Sequence, residues 1–204
     1  MSDANSLERA TLDAIYRRRA VRSYKPQRLD EPTIRKLLDA AVHAPTAIHE
    51  EAWAFVVVQD KALLKRISDR AKKMAGDELA KHRDLLKAPQ GSSEGHLTSM
   101  LASAEFNIFY DAGTLIVICA RPMGQFVSAD CWLAAENLML AACAMGLGSC
   151  PIGFSIPVLN AADTKRELGI PSDVAAVAPL IVGVPSAPTP EVPRKPPEIL
   201  RWVR

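Results

Sequence analysis

The chain has 204 residues, 49% hydrophobic and 24% charged, the composition of an ordinary globular protein with a sizeable core. Its formal net charge of +2 is too small for a nucleic-acid coat, so any cationic cluster is local chemistry rather than a global field. The most apolar stretch, Trp132 to Leu147, contains Glu136 and Asn137 and is shorter than the ~20 residues a bilayer crossing needs.

Leu7 to Arg19 reads as a helix, with Leu7, Ala10, Thr11, Ala14 and Ile15 at helical spacing and basic residues at its C-terminus. Arg18-Arg19-Ala20-Val21-Arg22 follows, with Ala44-Pro45-Thr46 some two dozen residues later. A guanidinium stays charged at cellular pH and grips two phosphate oxygens at once, so arginines beside a tight turn suit a phosphate-bearing ligand. Between them, Asp30 caps a second helix with Pro32 in its first turn. Ile34, Leu37, Leu38, Ala41 and Val42 form its apolar stripe, and Pro45 halts it. Trp53 to Val58 is a buried strand; Lys61 to Leu86 is a charged surface helix with a break near Gly76.

Ala88 to His96 has linker composition, and Leu97 to Tyr110 is expected to be helical. Thr114 to Ala120 is a second buried strand. A long helix begins at Ser128 and closes on Gly146-Leu147-Gly148. It is apolar nearly all round, which requires cover on all sides; in so small a chain a second subunit supplies part of it, giving a homodimer. Ser149 to Phe154 is a strand or an extended segment leading into a loop. Asn160 is expected to cap a helix over Ala161 to Leu168, and Ala175 to Val184 is a third strand. The tail carries Pro185, Pro188, Pro190, Pro193, Pro196 and Pro197, so it is extended and unsuited to a central strand. It is placed to reach over a neighbouring subunit and deliver Arg194 or Lys195 to a site. No internal repeat or domain boundary appears, and the elements make one α+β or mixed α/β domain over residues 1–204, with helices around a small sheet.

Several chemistries lack their signatures. There is no G-x-S-x-G, no phosphate loop, no G-x-G-x-x-G and no H-E-x-x-H. His49-Glu50-Glu51 is not a metal set, because adjacent side chains rarely converge on one ion. Cys119, Cys131, Cys143 and Cys150 show no C-x-x-C spacing and read as buried reduced thiols in a cytoplasmic protein. The polar start, Ser2 to Asn5, lacks the apolar region of a signal peptide. An enzyme without conspicuous acid–base machinery leaves the chemistry to a cofactor, which the protein binds and tunes.

Four segments in order resemble the nitroreductase family of FMN-dependent NAD(P)H oxidoreductases. They are Arg18 to Arg22; Ala44 to Trp53; Ala134 to Gly148 with Ser149-Cys150-Pro151-Ile152-Gly153-Phe154; and Gly183-Val184-Pro185 with Arg194-Lys195-Pro196. The resemblance implies an α+β sandwich, a small mixed sheet surrounded by helices, dimerising with an exchanged C-terminal extension. It implies FMN at the subunit interface, NADH or NADPH as donor, and a small organic acceptor such as a nitroaromatic or quinone, used in a ping-pong cycle with no catalytic side chain. Arg18 and Arg194 would hold the phosphate, with Arg19 and Lys195. Ala20 stands where the family's commonest pattern has a hydroxyl. Arg22 would lie near the pyrimidine end of the flavin ring, and Gly153, after Pro151 and Ile152, would set its backbone N–H against N5. Pro45, Thr46 and His49 would contact the ring or ribityl chain. His49 replaces an asparagine and Glu51-Ala52 replaces Gln-Pro, so a different redox chemistry on the same fold, or a non-catalytic flavin module, remains an alternative. Glu50 and Glu51 add negative charge that would lower the flavin potential or disfavour anionic acceptors.

Overall fold

The structure, a computed structural model, describes residues 2–82, 99–101 and 103–204. Four strands, β1 (Trp53–Val58), β2 (Thr114–Ala120), β3 (Gly148–Pro151) and β4 (Ala175–Gly183), form one sheet in the order β1-β2-β4-β3. All three pairings are antiparallel. Among the described residues the one parallel element is an isolated bridge between Ala20 and Ser149, so the sheet itself is antiparallel rather than the mixed sheet expected.

β2, one of the two inner strands, is buried on both faces. Leu115, Val117 and Cys119 face a cluster with Ile67 and Leu159; Ile116, Ile118 and Ala120 face another with Leu37 and Leu138. Each side chain alternation therefore feeds a separate core, and helices cover both faces of the sheet. The first cluster is covered by α3 (Lys61–His82), the second by α2 (Glu31–Val42) and α4 (Val127–Ala144).

Local chemistry explains most boundaries. The Asp30 carboxylate accepts from the Thr33 N–H at 2.9 Å to cap α2, and Pro32 lies in its first turn. α4 ends with Gly146 at φ 71° and with the Leu147 N–H donating to the Ala142 carbonyl at 2.8 Å, a glycine-dependent stop. α1 (Ser2–Arg17) begins earlier and ends sooner than its apolar spacing suggests, and its Leu7, Leu12, Ile15 and Tyr16 are exposed.

Four expectations change. α3 runs unbroken through Gly76, because one glycine costs only about 1 kcal/mol in a helix. Nor is α3 a wholly surface helix: Leu64, Ile67, Ser68, Ala71 and Lys72 make a buried stripe. Of the helix expected over Leu97 to Tyr110, residues 99–101 are helical, but 103–111 are bends and turns. There the Asn107 side chain accepts from the Phe109 N–H at 2.9 Å and donates to Asp111 at 2.8 Å, a local alternative to helix bonding. Finally, Asn160 does not cap α6 (Ala162–Leu168), which follows the single turn α5 (Ile156–Leu159). Its amide instead exchanges two 2.9 Å bonds with the Ala176 backbone, fixing the start of β4. The linker at 88–96 lies outside the described residues.

Candidate functional site

The arginine segment is laid along β3. After α1 the chain turns, the Val21 N–H donates to the Ser149 carbonyl at 3.0 Å, and Ala20 bridges Ser149. Gly148 permits this approach: a Cβ there would lie 2.7–2.8 Å from three atoms of the Val21 side chain. Tyr24, buried, donates from its hydroxyl to the Val21 carbonyl at 2.8 Å, and burial drives its pKa upward, so it stays a neutral donor. The Lys25 N–H then reaches the Val184 carbonyl at 2.8 Å. Arg18 to Arg22 thus run beside the strand that leads to Pro151, Ile152 and Gly153. Burial pushes the Cys150 thiol up, and both Arg22 and Arg18 lie near enough to offset part of that shift.

The three arginines are held differently. Arg18 donates from Nε to Glu136 of α4 at 3.1 Å, and its two terminal Nη groups make no bond among the described residues. Arg19 is turned back on its own chain: Nη1 donates to the Tyr16 and Arg18 carbonyls, and Nη2 lies 3.5 Å from Glu191 in the tail. Its Nε is buried without a partner. Arg22 is exposed, with no side-chain bond or ion pair among the described residues. This donor set suits an anionic group, and one buried guanidinium N–H is still unsatisfied.

Gly153 opens a turn of 3-10 helix (Gly153–Ser155), and a Cβ placed on it would meet nothing within 4 Å. As the first residue of the turn it has no acceptor within it for its N–H. Backbone there faces open space, as close approach of a flat ring requires.

The segment Pro45 to Glu51 stands at the other end of the site's framework, on the N-terminal turn of α4. The Ala47 N–H donates to both carboxylate oxygens of buried Asp130 at 3.3 Å. Ile48, His49 and Glu51 have φ of 48°, 58° and 45°, a left-handed run that is costly for residues with a Cβ. Glu50 packs against Gly124, whose added Cβ would lie 2.8 Å from Oε2. Pro45, His49 and Glu51 are exposed and Thr46 is half-buried. No hydrogen bond or ion pair joins this turn to Arg18–Arg22 or to Pro151–Gly153. Arg194 and Lys195 are also exposed, with no side-chain partner among the described residues. The Glu191–Arg19 contact nevertheless tethers the tail three residues before Arg194, a reach of about 10 Å in extended chain.

A cleft of about 540 Å³ lies between α1, the end of α4 and the tail root, lined by Arg17, Arg18, Arg19, Cys143, Ser149 and Pro188 among others. It contains none of Arg22, Gly153 or His49, so it adjoins only the arginine end of the site. A second cleft, of about 460 Å³, is lined by Phe55, Arg121 and Asp173 and touches none of the cofactor-binding residues expected from the sequence. Among the described residues no group of His, Cys, Asp and Glu could hold a metal, and no helix is long and apolar enough to cross a membrane.

Glu136, Asp130 and Glu191 are the polar residues that sequence reasoning missed. The signal was present for two of them: an acid inside a helix that is otherwise apolar.

The sequence profile of the Nitroreductase family matches residues 15–184, and the chain belongs to that family. Among its relatives is an NADH dehydrogenase of Thermus thermophilus, 28% identical over 180 residues, covering 85% of each chain. Another is an iodotyrosine deiodinase of Thermotoga neapolitana, 24% identical, covering 89% of this chain and 92% of that one. A crystal structure of a nitroreductase with bound FMN from Bacteroides fragilis superposes with a TM-score of 0.77 at 24% identity, covering 94% and 98% of the two chains.

Proposed function

We propose that the protein is an FMN oxidoreductase that passes two electrons by hydride transfer from NADH or NADPH to an organic acceptor such as a nitroaromatic or a quinone. The observation that carries this reading is the alignment of Arg18 and Arg22 with the β3–Gly153 segment. The Ala20–Ser149 bridge runs the arginine segment beside the strand that leads to Gly153, which supports a phosphate at the arginine end and a planar ring near the open glycine. FMN, when bound, supplies a reversible two-electron carrier that takes and gives hydride.

The chain's own residues bind, orient and tune. Arg18 and Arg194 hold the phosphate, with Arg19 and Lys195 beside them. Arg22 sets a cation where negative charge grows on reduction, which favours the reduced form. Pro151, Ile152 and Gly153 keep side chains clear of the reacting edge and offer a backbone N–H there. Pro45, Thr46 and His49 contact the ring or ribityl chain. A homodimer completes the site. It covers Trp132 and Leu133, which are exposed on the apolar α4, and it gives the exposed tail a surface to lie on.

Purified protein incubated with FMN and desalted should be yellow, should bleach with NADH or NADPH, and should recover its colour with a quinone. Protein that stays colourless would end the reading. A bound flavin that nicotinamides leave oxidised would point to a flavin module, or to a chemistry such as the dehalogenation named for one relative.

A further inference from the structure

We infer that Glu136 is a positioning residue for the anion-binding arginine, setting how well the protein distinguishes a phosphorylated ligand from its unphosphorylated counterpart. The inference rests on the FMN reading above. Glu136 lies mid-way along α4, a helix apolar almost all round, where an acid has no packing purpose. Its carboxylate takes a single guanidinium atom of Arg18, Nε, at 3.1 Å.

That choice of atom matters. An arginine has five N–H donors in a planar fork, and the two Nη groups together make the pair that matches two phosphate oxygens. A carboxylate that engaged both Nη groups would compete with phosphate for them. A carboxylate on Nε leaves both Nη groups unbonded and fixes the plane in which they point. Arg18 is a long side chain just beyond the end of α1, and its side chain is 24% exposed. Without Glu136 it would lose rotamer freedom only on binding, which weakens the contact. The acid also sits nearly half exposed, so solvent screens its repulsion of a phosphate.

The test measures dissociation constants for FMN and riboflavin by quenching of flavin fluorescence, on the full chain and three variants. Wild type should bind FMN far more tightly than riboflavin. Glu136→Ala should weaken FMN by about fivefold to tenfold and leave riboflavin unchanged, so the ratio between the two ligands falls. Glu136→Gln keeps an acceptor for Nε and should stay within about twofold of wild type. In an Arg18→Ala background, Glu136→Ala should have no further effect on FMN. If Glu136→Ala instead binds FMN as well as wild type or better, Glu136 is a bystander or a competing anion and the inference falls. It falls also if riboflavin and FMN weaken together, since loss of fold would do that. Failure of wild type to bind FMN at all would overturn the functional reading itself, a result distinguishable from either of these.

Discussion

The two cationic segments of the proposed site are built in opposite ways. Arg18 to Arg22 are locked to the sheet: Val21 bonds Ser149, Gly148 leaves room for Val21, and Tyr24 ties back to Val21. The strap carrying Arg194 and Lys195 has neither sheet pairing nor a buried residue beyond its root, and it ends with Leu200 90% and Trp202 70% exposed. On the function proposed above, one chain would provide the fixed half of an anion site and carry the other half on a segment whose apolar residues Val192, Ile199 and Leu200 are exposed. A strap with so little packing of its own fits the proposed homodimer, in which a second copy of the chain would give it a surface to lie on.

Removing residues 190–204 is the largest perturbation of that contrast. The truncated protein should lose its dimer by size-exclusion chromatography and weaken FMN by about 100-fold or more, because a lost charge-assisted contact and a lost interface act together. A truncated protein that dimerises and stays yellow would break the comparison outright. Arg194→Ala isolates the charge from the interface. It should leave the dimer intact and weaken FMN by about tenfold or more, the value of one hydrogen bond to a charged group.

The locked half predicts a stability effect rather than a binding effect. Gly148→Ala drives a methyl into Val21 and should destabilise the fold by about 1–3 kcal/mol in urea denaturation. Val21→Ala removes Cγ1 and Cγ2 from the clash and leaves only Cβ, so the double variant should lose less than the sum of the single losses. Additive losses would mean that the close approach is not what requires glycine.

The same contrast separates what the residues announce from what they conceal. The strands Trp53–Val58 and Thr114–Ala120 are legible because β-branched runs declare themselves over six or seven adjacent residues. The stop of α4 is legible because Gly146 is a local device. Asn160 is not, since its side chain serves Ala176 rather than the next helix. Neither is the partner of Arg18, which lies 118 residues away, on a helix whose acid reads from sequence only as a bar to membrane insertion. The motif residues themselves are visible in sequence, but the orientation of their side chains depends on contacts that no local pattern encodes. Residues 103–111 fail for a third reason: short polar side chains there bond their own backbone and outcompete the helix.

The smallest effect concerns the thiols, and it sharpens the boundary between the locked core and its open edge. Burial pushes Cys119 up to about 11 and Cys131 up to about 12, with Cys150 also raised. Cys143 is half-buried and lines the cleft beside Arg18 and Arg19. Iodoacetamide at pH 8 should therefore modify native protein at Cys143 first and reach all four cysteines only in denaturant, as read by intact mass. In the unfolded chain a thiol loses its proton near pH 8.5, whereas folded Cys119 and Cys131 hold theirs. Their contribution to stability is thus complete below about pH 8.5 and is lost as pH rises from there toward 11 to 12. Replacing Cys131 by alanine should flatten that alkaline decline slightly. Equal labelling of Cys131 and Cys143 in the native protein would show that the core around α4 opens as readily as the cleft beside it, and the boundary between locked core and open edge would lose its basis.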